Sequence, residues 1–194
     1  MSELRMVDLD SAELVWGSHT IAGSELPADI VMLRMDADAG TRSCVVAFPE
    51  GWERAVTGNQ PAGEEMVLLS GGLTMSGHAV AVGEALIVEP RATRAATSTT
   101  GATAAVVWFS GPGGGWADGE ADDAGTVTVL GLADGELRAP GAGLVGSLLG
   151  RDAVAGEVFD TDVEVLWPQA RRWAFVPAGA PVPEVDGFAV VHTY

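Results

Sequence analysis

The sequence of 194 residues has no lysine and a single cysteine, tyrosine and asparagine, and these scarcities close off whole branches of chemistry. All ten basic residues are arginines, so Schiff-base and pyridoxal mechanisms, which need an amine nucleophile, are excluded. Cys44 alone can form neither an intrachain disulfide nor a cysteine-rich metal site, which fits a reducing compartment. The three histidines, His19, His78 and His192, are far apart, and the first two sit in turn-like sequence, a poor basis for a converged metal site. No apolar run reaches signal-peptide or membrane-spanning length, so the cytoplasm is the expected location. Positive charge is also short: ten basic residues against 27 acidic ones give a formal net charge of −17. A nucleic-acid backbone or an anionic membrane would be repelled, and neither is an expected partner.

What is present is 47% hydrophobic residues, 19% charged residues and 26 glycines, the composition of a globular chain with many turns. Short runs rich in β-branched residues recur at Ile30 to Met35, Ser43 to Phe48, Met66 to Leu69, Leu73 to Met75, Ala85 to Val88 and Thr103 to Phe109. Asp38-Ala39-Gly40, Ser70-Gly71-Gly72, Ser76-Gly77 and Thr100-Gly101 supply breaks between them. After a glycine-rich and then acidic stretch, strand-like runs resume at Thr126 to Leu130, Val163 to Trp167, Trp173 to Val176 and Phe188 to His192. No segment sustains a period near 3.6, so the expected class is all-β and antiparallel.

Gly51 and Gly71 frame a distinctive spacing. Thr57, Asn59 and Glu64 stand between them at intervals that, counted back from the proline at 61 instead, fall on Gly58, Gln60 and Glu65. With Phe48-Pro49-Glu50-Gly51-Trp52 before it and Gln60 to Gly71 after it, this stretch resembles the cupins, and within them the ChrR-type branch of zinc-binding anti-sigma factors and two-domain bacterial proteins. The usual cupin motif has H-x-H and a glutamate at these intervals; here both imidazoles are replaced in either register. Pro177-Ala178-Gly179 is similar to the start of the second cupin motif, with Val182 where that motif has histidine, and Gly83 to Ala95 is a looser copy. The resemblance implies a double-stranded, jelly-roll-like β-barrel in two cupin-like halves, the second abbreviated. The expected boundaries are 1–112 for an N-terminal arm plus barrel, 113–125 for a linker and 126–194 for the second half. It also implies that no metal or other cofactor is bound, since a lone Glu64 or Glu65 would leave a divalent ion under-coordinated.

The chemistry that remains is modest but specific. Strand alternation points one member of the Glu64-Glu65 pair inward as a general acid or base and the other outward, unless both are surface groups or pair with arginine. Thr57, Asn59 and Gln60 offer neutral hydrogen-bonding groups to a ligand, or form a plain turn. Arg54, Arg91 and Arg94 lie near the motifs and suit a carboxylate-bearing ligand or surface ion pairs. Trp52 and Trp108 are the best placed of the six tryptophans to line a pocket. The expected function is a metal-independent enzyme acting on a small, largely apolar organic molecule by acid/base isomerisation, cyclisation or elimination. The alternatives are a non-catalytic binding or sensor protein and a metal-dependent cupin with displaced ligands. Unpaired barrel edges make a homodimer the expected assembly.

Overall fold

β-Branched and small apolar residues dominate the segments that form strands, and no helix occurs among the described residues. The structure, a computed structural model, describes residues 3–194; Met1 and Ser2, which open the expected N-terminal arm, lie outside the described residues. No helix among these residues is long and apolar enough to cross a membrane.

The chain forms two compact units that do not coincide with the two halves of the sequence. One comprises Val15–Gly131 with Ala142–Leu144; the other is built from the N-terminal segment up to Leu14, Leu132–Gly141 and Val145–Tyr194. The expected boundaries at 112 and 126 are therefore corrected at both ends. Arg5–Asp8 pairs antiparallel with Arg172–Val176, and ion pairs of Asp8 with Arg172 and of Asp10 with Arg171 pin it there. Conversely, Val127–Gly131 pairs along its whole length with Glu84–Val88. Each segment fills a sheet edge that would otherwise expose a row of unpaired backbone donors and acceptors. Sequence 113–125 is not a free linker either: Ala117–Asp118 pairs with Gly58–Asn59, and the Gly119 and Gly125 amides donate to Thr57 O and Pro90 O.

The larger unit is a nine-stranded sheet whose main path runs Val127–Gly131, Glu84–Val88, Gly63–Met75, Thr97–Ser110, Thr41–Phe48, Ala28–Asp36 and Gly17–His19. Two strands are longer than the turn signals imply. Gly63–Met75 runs straight through Ser70-Gly71-Gly72, and Thr97–Ser110 runs through Thr100-Gly101. The glycines there mark an irregularity in the pairing of these two strands, between Thr100 and Ala105. Gly71 has φ +69°, and a Cβ on it would lie 2.4 Å from Thr103 Oγ1, so only glycine fits.

Strand periodicity sorts the core. Met66 and Leu68 join Cys44, Val46, Phe48, Ala105 and Val107 in one apolar cluster. Their neighbours Glu65, Val67, Val106 and Trp108 are buried as well, on the opposite face. Burial of both faces explains why these strands read in sequence as continuous apolar runs rather than alternating ones.

The smaller unit is a six-stranded sheet ordered Arg5–Asp8, Arg172–Val176, Val163–Trp167, Ala189–Thr193, Leu148–Arg151 and Gly135–Arg138. Val163, Val165, Trp167, Ala174, Val176 and Val191 build its core, joined by Val182, the residue at the second motif's histidine position. On the opposite face of the sheet a fully buried carboxylate, Glu164, accepts hydrogen bonds from Trp173 Nε1 at 2.9 Å and from the Tyr194 hydroxyl.

Candidate functional site

Inside the larger unit the apolar cluster leaves a cavity of about 120 Å³. Ile30, Phe48, Met66, Leu73, Met75 and Val107 supply much of its wall. Four polar side chains reach it: Arg54, Gln60, Glu64 and Thr97. A mostly apolar wall with a few placed polar groups is the usual make-up of a small-molecule site.

Glu64 is the centre of the polar set. The second residue of Gly63–Met75, it is 6% exposed and meets a guanidinium that is wholly buried. Arg94 Nε donates to Glu64 Oε1 at 3.1 Å, Arg94 Nη2 lies 3.0 Å from the same oxygen, and Gln60 Nε2 donates to it as well. Oε2 has no hydrogen-bond partner among the described residues. The rest of the Arg94 fork is occupied: Nη1 donates to Ala92 O at 2.9 Å and Nη2 to Ala62 O at 3.2 Å. Its backbone is fixed too, by reciprocal hydrogen bonds with Gly58. Burying two charges costs several kcal/mol each on the order-of-magnitude scale, and only pairing of this completeness offsets it.

Arg54 presents a different picture. It is 5% exposed, with Trp116 4.7 Å and Trp52 6.0 Å from the guanidinium carbon to the ring centroid. Burial pulls its guanidinium below the ordinary value; the Glu64 carboxylate opposes that shift and Arg94 adds to it. Two guanidinium groups, Arg54 on the cavity wall and Arg94 behind Glu64, therefore face one carboxylate.

The structure redistributes the residues expected from sequence. Trp52 does line the cavity, anchored by Nε1 donating to Leu26 O at 3.0 Å and packed on Phe48 with ring centroids 4.6 Å apart. Glu65 does not: it lies one residue from Glu64, hence on the opposite face, and at 1% exposure it is not the solvated neighbour expected. The same alternation removes Trp108, whose neighbours Val107 and Phe109 line the cavity in its place. Thr57 and Asn59 also fall outside the cavity. Asn59 Nδ2 donates to Gly119 O at 3.0 Å, which ties down the 117–119 segment, and Thr57 faces an outer groove. Arg91 is a surface residue paired with Asp123 at 2.9 Å. Neither motif register is used whole, since Glu64 belongs to one and Gln60 to the other.

Two further participants were not legible. Thr97 is a buried hydroxyl in a run of threonine and alanine with no distinguishing mark. Trp116, in the presumed linker, packs on Arg54 and explains Gly58: a Cβ there would lie 2.2 Å from Trp116 Cζ2 and 2.6 Å from Ala117 O. Gly58→Ala is therefore expected to cost about 1–3 kcal/mol by overpacking. It should also release residues 116–119 to limited proteolysis, and an unchanged denaturation midpoint would count against this packing.

Among the described residues, no group of three or more His, Cys, Asp or Glu side chains is placed to hold a metal ion. Around the cavity the one carboxylate is already paired with Arg94, and the other polar groups are a guanidinium, an amide, one hydroxyl and the single thiol of Cys44, so the donor set does not fit a divalent cation.

No family model matches the chain, and no curated protein matches its sequence. Solved structures do match. A dioxygenase candidate from Nostoc punctiforme superposes with a TM-score of 0.76 over 99% of this chain and 82% of that one, at 12% identity. Ylba from E. coli gives 0.52 over 98% and 86% at 12% identity, and a protein of unknown function from Pseudomonas syringae gives 0.52 over 97% and 97% at 13%. Identities this low speak to architecture alone. The all-β antiparallel chain accordingly has the cupin fold.

Proposed function

We propose that the chain is an enzyme that uses its cupin cavity, without a metal, to move a proton on a small and largely apolar organic molecule. Isomerisation, cyclisation and elimination are the reaction types that a single carboxylate can serve. The observation that carries this reading is the Glu64 carboxylate, held at the cavity wall by hydrogen bonds from Arg94 Nε and Gln60 Nε2 to Oε1 and by the Arg94 ion pair, while Oε2 stays without a partner. Held in an ion pair, Glu64 enters as a base, and Oε2 is the atom that accepts the proton. Arg94 and Gln60 position it, and the apolar wall excludes water and holds one conformer of the substrate.

The test is hydrogen exchange at carbon. Small ketones and carboxylic acids incubated with the protein in D2O are followed by NMR for incorporation of deuterium next to the carbonyl. Exchange that is lost in Glu64→Gln supports the reading; exchange at the wild-type rate in that variant removes Glu64 from the chemistry. A non-catalytic binding or sensor protein is the second reading, favoured by the completeness of the Glu64–Arg94 pair, since such a pair also serves to close a barrel. It is the reading left if the cavity binds ligands and exchanges nothing.

Metal independence is tested separately. Elemental analysis of the purified protein is expected to find no stoichiometric zinc, iron, manganese or nickel. A stoichiometric metal that survives dialysis would overturn that part of the proposal. The resemblance of Phe48 to Gly71 to the ChrR-type branch supports a bacterial small-molecule role in the cytoplasm. A homodimer covering the edge strand Gly17–His19 is the assembly that goes with it.

A further inference from the structure

Three buried polar atoms at one side of the cavity have no hydrogen-bond partner: Arg54 Nε, Arg54 Nη1 and Thr97 Oγ1. They are adjacent by construction. Arg54 and Thr97 are direct partners in the antiparallel pairing of Glu53–Arg54 with Thr97–Ser110, and the two residues are 5% and 1% exposed. Both line the cavity, and both also line the open groove outside it, so they stand where one gives way to the other.

A buried polar group left without a partner is costly, and a charged one more so, which makes three at one spot a demand for a ligand. Trp116 and Trp52 lie near the guanidinium but accept nothing from its N–H groups. Glu64 acts on Arg54 through space, yet its hydrogen bonds go to Arg94 and Gln60. What is missing is a planar acceptor carrying negative charge. Arg54 Nε and Nη1 lie on different edges of the guanidinium; a carboxylate takes either edge with two oxygens by sharing Nη2, and the nearby hydroxyl supplies one more donor. It would also balance the second guanidinium of the cavity.

We propose that Arg54 and Thr97 form a carboxylate subsite at the mouth of the cavity, and that the natural ligand is a small monocarboxylate. Its head group sits on these two residues and its apolar part lies against Met66, Met75 and Val107. The inference rests on the reading of the cavity as a ligand site and adds the chemical class that the site selects. It also gives a direction of entry: the ligand arrives through the outer groove, tail first.

The test compares hexanoate with hexanamide, equal in shape and differing in charge, by calorimetric titration at fixed ionic strength. Hexanoate is expected to bind about tenfold or more tightly than hexanamide, the worth of charge-assisted hydrogen bonds. In Arg54→Met that preference should fall to within about threefold, and in Thr97→Val hexanoate should lose several-fold more than hexanamide. Equal affinity of the two probes for the wild-type protein overturns the subsite while leaving the cavity as an apolar ligand site. So does a preference that survives in folded Arg54→Met. If neither probe binds, the ligand-site reading falls and the subsite with it. Should Arg54→Met fail to fold, Thr97→Val decides, and an undiminished preference there is the overturning result.

Discussion

Replacing Arg94 by methionine is expected to lower folding stability by roughly 3–5 kcal/mol, the usual cost of removing one partner from a buried ion pair. The size of the effect comes from what is left behind. Glu64 would remain in an apolar cavity with only Gln60 to serve it, and the carbonyls of Ala92 and Ala62 would lose their donors. Methionine nearly fills the space, so a cavity term contributes little. Denaturant titration gives the answer through the midpoint at constant slope. The double variant Arg94→Met, Glu64→Leu separates charge from volume, because it removes both charges and should recover a good part of the loss. A loss below about 1 kcal/mol in the single variant would show that the pair is not held as described.

Glu64→Gln is expected to lower turnover by about 10²-fold or more, the scale of a general acid/base contribution, in whichever C–H exchange or elimination the protein performs. Glutamine keeps the shape and can still accept from Arg94, so the substitution removes the base while preserving the wall. The control is its neighbour. Glu65→Gln should leave turnover within a few-fold and instead reduce stability, because Glu65 is buried on the opposite face of the same strand. A Glu64→Gln variant within threefold of wild type, or a Glu65→Gln variant that loses turnover as severely, would contradict the assignment of roles.

The fold was largely readable because strands announce themselves locally. The runs at 43–48, 85–88 and 163–167 needed only β-branched residues and flanking turn residues, glycine, proline or aspartate, to be recognised, and the glycine-framed motif carried the cupin resemblance. Long-range pairing was not readable. Nothing in Arg5–Asp8 or Val127–Gly131 marks which sheet each joins, because an edge strand needs only backbone donors and acceptors. The glycines at 71, 72 and 101 misled for a related reason: glycine serves a bulge inside a strand as well as a turn between strands. Glu64, Gln60, Arg54 and Trp52, singled out by motif position and chemistry, come together at the cavity, and Arg94 stands behind Glu64. Trp108 and Asn59 fall outside the cavity because a shift of one residue reverses the face a strand residue presents, and Thr57 because it lies in the turn between two short strands. Thr97 and Trp116 had no local signature, since their roles exist only once distant strands meet.

The crossed edge strands also set the order in which the molecule can be finished. As the chain emerges from a ribosome, the larger unit cannot close its sheet at the end of its sequence-local strands; it waits for Val127–Gly131 to arrive and cover Glu84–Val88. Arg5–Asp8 has no partner until Arg172–Val176, far later in the chain, has been synthesised. Such late pairing between distant segments is slow, and it leaves an unpartnered strand exposed while the intervening chain is made. The same arrangement carries a benefit after a break. A cut in the acidic stretch near residues 120–124 would produce two pieces, each holding a strand that the other's sheet requires, so they should stay together and could be rebuilt from separately made halves.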